Sequence, residues 1–321
     1  MTPDRKAKKP DILVICGPTA SGKTALAVAL ARRFGGEVVS ADSMQIYRGM
    51  DIGTAKPTPE EMGDIPHHMI DVADPGENYS VARYVQEAVP VVDGILSRGK
   101  LPIVAGGTGL YIDHLVAGRQ FAPFPAASGL REALQRRAET EGLPALMEEL
   151  RRVDPAAAQR LHPNDAKRII RALEVYLATG KPLSQHDRES QAIPHRYTPL
   201  TIALNFRERP WLWTRIDRRV DEMMERGLEG EVRRLLERGI DPRCTAMQAI
   251  GYKEMAAAIR EGRPPAEGAE EVKLRSRQYA KRQLTWFRRN PAAHWLLWDE
   301  EPDFSAALAR STELILASGL Q

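Results

Sequence analysis

The sequence predicts an α/β protein, a parallel sheet flanked by helices and interrupted by an all-helical insertion. Three observations carry this prediction. Residues 11–16 (DILVIC) are apolar and lead into a glycine loop. A helix-forming stretch and a second apolar strand follow, and strand, loop, helix, strand is a βαβ unit. Between about residues 119 and 198 the texture changes to short amphipathic helices with no strand among them.

The elements follow in order. The first helix is Ala/Leu-rich and spans about Gly22–Phe34, until Gly35–Gly36 breaks it. Glu37–Ala41 forms the second strand and ends at Asp42. His67–Asp71 has the character of a further short strand. Ser80 caps a helix running toward Arg98, with a kink expected at Pro90. Leu101–Ala105 is a strand ending in Gly106–Gly107, and Thr108 opens the next helix. The Pro- and Ala-rich run QFAPFPAASG reads as a linker. Within the insertion the clearest helix takes Asn164 as its N-cap and stops at Gly180. Strand character returns at Pro199–Phe206. Charged helices follow at about Trp211–Arg226 and Glu267–Arg289, then the strand-like His294–Trp298 and a final helix. The expected division is an α/β core of residues 1–118 and 199–321 around a helical insertion at 119–198.

Composition bounds the function. A chain of 321 residues can bury a large core. No stretch is apolar for long enough to cross a bilayer, and no signal-type run follows the basic start MTPDRKAKKP. A cytoplasmic protein without a membrane partner is expected. Cys16 and Cys244 are the only cysteines, too few for a zinc site, and Cys16 reads as a buried core thiol. The net charge of +3 does not by itself point to nucleic acid.

Gly17, Pro18, Thr19, Ala20, Ser21, Gly22, Lys23 and Thr24 read GPTASGKT. They fit G-x-x-x-x-G-K-[ST] between a strand and a helix, a P-loop. The glycines let the backbone wrap an anion, with N–H groups pointing inward at the positive end of the helix. Lys23 neutralises the terminal phosphates, and the Thr24 hydroxyl is placed to ligate Mg²⁺. ATP is the default ligand of such a loop. A typical P-loop ATPase, however, carries an aspartate at a strand end to organise Mg²⁺ and water. Here Leu101–Ala105 ends in Gly-Gly-Thr, and the acid is Asp42, after a different strand. At that position it suits a base or a metal contact; the alternative is a helix or turn cap.

GPTASGKT, SADSMQIYRGMDIGTAKPT, PHHMIDV, AGGTGLY, HPNDAKRIIRALEV and KRQLTWFRR, in this order, resemble the tRNA dimethylallyltransferase family. The likeness spans about residues 11–298. Without a eukaryote-type zinc finger, the chain resembles the bacterial form. The resemblance implies transfer of a dimethylallyl group from dimethylallyl diphosphate to N6 of adenosine 37, beside the anticodon of tRNA. It implies that the P-loop holds the donor's diphosphate, with Mg²⁺ as cofactor. It makes Asp42 the base and puts Arg219 on the diphosphate, with Lys23 and Thr24 completing the catalytic set.

The same resemblance assigns the anticodon stem-loop to several segments. Asp42, Ser43, Met44, Gln45 and Thr108 would lie against the adenosine or its neighbours. Arg131, Lys167, Arg168, Ile169, Ile170 and Arg171 would touch the loop from the insertion. Gln248, Ala249, Ile250, Gly251, Tyr252 and Lys253 form a further segment, in which Gly251 allows close approach and Tyr252 offers a stacking ring. From spacing alone, Arg215 with Arg219 and Lys167 with Arg171 share helix faces, and a solvated face is the ordinary reading. The helix carrying Lys273, Arg275, Arg277, Lys281, Arg282, Arg288 and Arg289 is strongly basic, with Trp286 and Phe287 among the charges. His67 and His68 default to structural hydrogen bonding, and a monomer is expected.

Three rivals share parts of this pattern. A small-molecule kinase would use the same loop, but DSMQIYRGMDIGTAKP argues against it. An adenylate isopentenyltransferase would prenylate free nucleotides, which the insertion and basic segments disfavour. An RNA-binding protein without catalysis would not need Lys23, Thr24 and Asp42 together.

Overall fold

The computed structural model describes residues 9–119 and 129–320. The chain divides into two compact units, Met1–Gly118 with Arg196–Gln321, and Arg119–His195. Most of the run read as a linker lies outside the described residues.

The first unit begins with β1 (Ile12–Cys16), α1 (Lys23–Phe34), β2 (Glu37–Ser40), α2 (Pro59–Met62) and β3 (His67–His68). It continues with α3 (Val81–Ser97), β4 (Pro102–Gly106) and α4 (Gly109–Ala117). The second unit is α5 (Leu130–Thr140), α6 (Leu143–Val153), α7 (Pro155–Arg160), α8 (Ala166–Thr179) and α9 (Leu183–Ala192). The first unit resumes with β5 (Pro199–Phe206), α10 (Arg209–Glu225), α11 (Leu228–Glu237), α12 (Tyr252–Glu261), α13 (Pro265–Phe287), β6 (His294–Trp298) and α14 (Phe304–Ser318).

All six strands are parallel, in the order β3-β2-β4-β1-β5-β6. β1 is buried on both faces, which explains its unbroken apolar run. Ile12, Val14 and Cys16 join the core shared with α3, α4, α11 and α12. Leu13 and Ile15 join the core shared with α1, α10 and α14. The chain crosses from β1 past β4 to β2 and then returns, so the ends of β1, β2 and β4 converge at one edge. Ligands bind at such a switch point.

Several local expectations are corrected. The strand expected over His67–Asp71 is only His67–His68, because Met69 and Asp71 adopt left-handed backbone angles (φ 62° and 57°). α3 runs unbroken through Pro90. Pro90 and Gln86 are both exposed, so water can take the freed Gln86 carbonyl, while Tyr84, Val85, Ala88, Val92 and Ile95 pin the other face to the core. α8 is capped by Asp165, not Asn164: the Asp165 carboxylate accepts from Arg168 N–H.

The histidines have structural partners. His68 Nε2 lies 2.7 Å from Glu37, which also meets Arg98 (2.7 Å) and Lys100 (2.9 Å). Burial alone would raise the Glu37 pKa, but hydrogen bonds from Lys100, His68 and Arg98 hold it at about 2. His67 Nδ1 lies 2.9 Å from the Ile65 carbonyl. Cys16 is a free, buried thiol, pushed up to about 12 by burial. Among the described residues no helix is long and apolar enough to cross a membrane.

The second unit has its own core, built from Leu134, Leu146, Met147, Leu150, Ile169, Ile170 and Leu173. Ile169 and Ile170 are therefore buried, which corrects their expected role as apolar surface for RNA. They point inward because the amphipathic stripe of α8 must cover α5 and α6. Arg131 and Arg171 both reach the Glu174 carboxylate (3.0 and 2.9 Å), and Arg168 pairs with Asp165 (2.6 Å). Lys167 is exposed.

Candidate active site

The P-loop has the geometry its glycines require. Gly17 sits at φ 147°, and a Cβ there would lie 2.5 Å from the Leu204 carbonyl oxygen. Gly22 sits at φ 84°, and a Cβ there would meet the Phe304 ring at 2.8 Å. The Pro18 carbonyl accepts from Ser21 Oγ (2.8 Å) and Lys23 Nζ (2.7 Å). Burial first, then the neighbouring Arg219 charge, lowers the Lys23 ammonium to about 8.

Two distant elements brace the loop. Gln283 of α13 is buried; its Oε1 accepts from Thr19 N–H and its Nε2 donates to the Gly107 carbonyl, both at 2.9 Å. Trp298 Nε1 donates to the Ser21 carbonyl (2.9 Å). Sequence reading missed Gln283. A neutral amide within the cationic run KRQLTWFRR is the only signal it leaves.

Arg219 Nη1 donates to Thr19 Oγ1 (3.0 Å), and Arg215 Nε reaches the Ala20 carbonyl (3.4 Å). The shared face of α10 is thus turned onto the P-loop and is not merely solvated. Burial lowers the Arg219 pKa, and the Asp42 carboxylate opposes that.

Asp42 follows β2. Its Oδ1 accepts from Met44 N–H (2.9 Å) and Gln45 N–H (3.4 Å), so the turn-cap reading is realised. Oδ2 has no hydrogen-bond partner among the described residues, and the side chain lines the cavity beside the P-loop. One carboxylate therefore serves the turn and still faces the site. Thr108 opens α4 without a side-chain cap; its Oγ1 accepts from Ser43 N–H (3.0 Å) and ties the Asp42 turn to the Gly-Gly-Thr segment. A Cβ on Gly106 would lie 2.2 Å from the Ala41 carbonyl oxygen, so glycine permits this approach.

A cavity of about 620 Å³ lies beside these groups within the first unit. Thr19 to Thr24, Asp42 to Gln45, Arg219 and Gln248 to Ile250 all reach it. Lys56, Arg218, Arg226, Tyr279 and Arg282, not selected from sequence as lining residues, reach it as well. Burial and then the Asp42 charge push the Tyr279 phenol up to about 12, so it remains a hydroxyl at neutral pH. Gly17, Pro18, Thr108, Gly251, Tyr252 and Lys253 are not part of the lining. Tyr252 is corrected: its ring is fully buried and its hydroxyl donates to Glu231, so it offers no stacking face. Lys253 is exposed.

The basic helix α13 is partly neutralised. Lys273 meets Asp221 (2.7 Å) and Glu270 (2.8 Å), and Arg277 makes a two-oxygen pair with Asp217 (2.8 and 2.6 Å). The Lys273–Asp221 and Arg277–Asp217 pairs dock α13 on α10, while Lys273–Glu270 lies within α13. Phe287 is buried, and Trp286 Nε1 donates to Asp113 (3.0 Å).

A P-loop at the C-terminal edge of a parallel sheet, with a carboxylate and a half-buried arginine facing it, defines a P-loop-type phosphate site. The profile of the IPP transferase family matches residues 45–290, and that of isopentenyl transferases matches residues 10–72. The chain belongs to the tRNA dimethylallyltransferase family, also called IPP transferases. It is 49% identical to the tRNA dimethylallyltransferase of Caldanaerobacter subterraneus subsp. tengcongensis, over 90% of this chain and 92% of that one. It is 51% identical to tRNA dimethylallyltransferase 1 of Pelobacter propionicus, over 91% and 94%. The crystal structure of the tRNA isopentenylpyrophosphate transferase from Bacillus halodurans superposes with a TM-score of 0.71 at 42% identity, covering 97% of each chain. A eukaryotic dimethylallyltransferase captured acting on tRNA superposes with a TM-score of 0.81 at 30% identity, covering 97% of this chain and 80% of that one.

Proposed function

We propose that this protein transfers the dimethylallyl group of dimethylallyl diphosphate to N6 of adenosine 37 in the tRNA anticodon loop, releasing diphosphate. The observation that carries this reading is the placement of Asp42 and Arg219 on the P-loop cavity. A base for the acceptor and a cation for the leaving group then share one space.

The adenine N6 lone pair is delocalised into the ring, which makes it a weak nucleophile. Asp42 accepts the N6 proton as the C–N bond forms. The allylic C–O bond breaks, and its electron pair leaves with the diphosphate. Lys23, Arg219 and the loop N–H groups stabilise the charge that gathers there.

Hard oxygen donors suit Mg²⁺, and the Thr24 hydroxyl and Asp42 carboxylate both line the cavity. Among the described residues no cluster of three or more His, Cys, Asp or Glu side chains is placed to hold a metal. Thr24 would therefore hold Mg²⁺ together with oxygens of the donor. When bound, the ion supplies further neutralisation of the diphosphate.

Lysine protonation sets a pH limit. The charged Lys23 grips the donor, and its pKa is lowered to about 8. The donor kcat/KM is expected to fall as pH rises through about 8, because that ratio reports free-enzyme groups. Lys23→Arg removes this limb, and a pH profile of both proteins checks it.

tRNA reaches the site through phosphate contacts to exposed cations such as Lys167 and Arg289. Base-specific reading falls to the segments lining the cavity. The reactive adenine must leave the stack to enter. The tRNA association constant is expected to fall with salt by about 0.7–0.9 log units per log unit for each phosphate engaged. A flat response in a filter-binding titration would remove the basic surface from the reading. A tRNA substrate fits a cytoplasmic location.

The direct test is incubation with Mg²⁺, unmodified tRNA and either dimethylallyl diphosphate or ATP. N6-dimethylallyladenosine, detected by mass in the tRNA digest, is expected with the first donor. Consumption of ATP alone would sink the reading in favour of a kinase.

A further inference from the structure

Glu231 of α11 is 3% exposed and makes no ion pair among the described residues. A buried carboxylate without a cation is costly unless several donors satisfy it. Four do so here. Glu231 Oε2 accepts from Asp51 N–H (2.9 Å) and Ile52 N–H (3.0 Å). Oε1 accepts from Gly53 N–H (3.1 Å) and from the Tyr252 hydroxyl. Three successive backbone amides thus converge on one side chain nearly 180 residues away. The loop also packs on the Tyr252 ring, since a Cβ on Gly53 would lie 2.4 Å from it.

The anchored loop forms a wall of the cavity through Gly53, Thr54 and Ala55. The carbonyls of Thr54 and Ala55 accept from Gln45 Nε2 (3.4 and 3.2 Å). Gln45 Oε1 accepts from Ser40 Oγ (3.1 Å), and Gln45 N–H donates to Asp42 Oδ1 (3.4 Å). A continuous hydrogen-bonded path therefore runs from Glu231 through the loop and Gln45 to Asp42. The P-loop takes its own braces from Gln283 and Trp298.

We propose that Glu231 is a positioning residue, which holds the Asp51–Gly53 backbone and, through Gln45, keeps Asp42 in register for proton transfer. This rests on the transfer reading given above. A misplacement of about 1 Å at a reacting group costs on the order of a hundredfold in rate. Glu231 should accordingly act on kcat and leave the donor's grip alone.

The test uses full-length Glu231→Gln and Tyr252→Phe. The amide of Glu231→Gln keeps the shape but turns one acceptor into a donor facing N–H groups. Calorimetry with dimethylallyl diphosphate and Mg²⁺ gives donor Kd and the number of binding sites; transfer to tRNA gives kcat per donor-binding site. The expected result for Glu231→Gln is a donor Kd within about twofold of wild type and a kcat per site at least about tenfold lower. A merely structural role would reduce the number of donor sites and leave kcat per site unchanged, and that result overturns the proposal. A donor Kd that weakens in step with kcat also overturns it. Should Glu231→Gln bind no donor, Tyr252→Phe decides: at unchanged donor Kd, a kcat loss of about threefold or more supports the path, and none overturns it. Wild type without transfer sinks the underlying reading, whereas active wild type with an equally active Glu231→Gln sinks the positioning role alone.

Discussion

Asp42→Asn is expected to lower kcat by about 10²–10⁴-fold, the usual worth of a positioned general base. The choice of asparagine matters. Its amide oxygen can still accept from Met44 and Gln45 N–H, so the turn after β2 is kept. What it loses is the second carboxylate oxygen, the one without a partner among the described residues. Donor affinity, set by the P-loop, should change little. Single-turnover transfer with saturating dimethylallyl diphosphate and tRNA checks this. Were Asp42 only a turn cap, asparagine would substitute freely and the rate would stay near wild type.

Arg219→Ala is expected to weaken donor binding and lower kcat together, with a fall in kcat of about 10²–10³-fold, comparable to losing one preorganised electrostatic contact in an active site. The guanidinium is held against Thr19 of the P-loop, where burial makes its charge costly in the free protein. A diphosphate offsets that cost, and increasingly so as the C–O bond breaks and charge develops. The contact thus strengthens toward the transition state, the condition under which binding energy raises kcat. Steady-state kinetics of Arg219→Ala beside Arg219→Lys separates charge from geometry. Lysine restores charge but not the planar fork, so partial recovery is expected. Unchanged turnover and donor affinity in the alanine variant would remove Arg219 from the site.

Much of the architecture was legible because it is written in short windows. The unbroken apolar run of β1 follows from burial on both faces. The P-loop follows from glycines placed where the backbone turns left-handed or passes within 3 Å of its neighbours. The resemblance, carried by DSMQIYRGMDIGTAKP above all, named the right family. Faces were harder. The α8 segment mixes cations with isoleucines, and only packing shows that Ile169 and Ile170 form the core of the second unit while Lys167 stays in solvent. Tyr252 looked like a stacking ring because aromatic side chains serve either purpose; a buried carboxylate beside it decides the matter. In the sequence Lys273 and Arg277 are simply members of a strongly basic helix, and their partners on α10 lie far away in the chain.

By itself, the sequence determined the parallel sheet, the phosphate loop with Lys23 and Thr24, and the carboxylate at the end of β2. Each depends on residues within a few positions of one another, through backbone angles, caps and apolar periodicity. The resemblance put Arg219 at the diphosphate, but only tertiary structure showed its contact with Thr19 across 200 residues, the brace of Gln283 across 264, and the hold of Glu231 on another wall of the cavity. Polar side chains suit solvent, an ion pair or a buried hydrogen bond equally well in a linear pattern. Which of these they adopt depends on the groups that folding brings within about 3 Å.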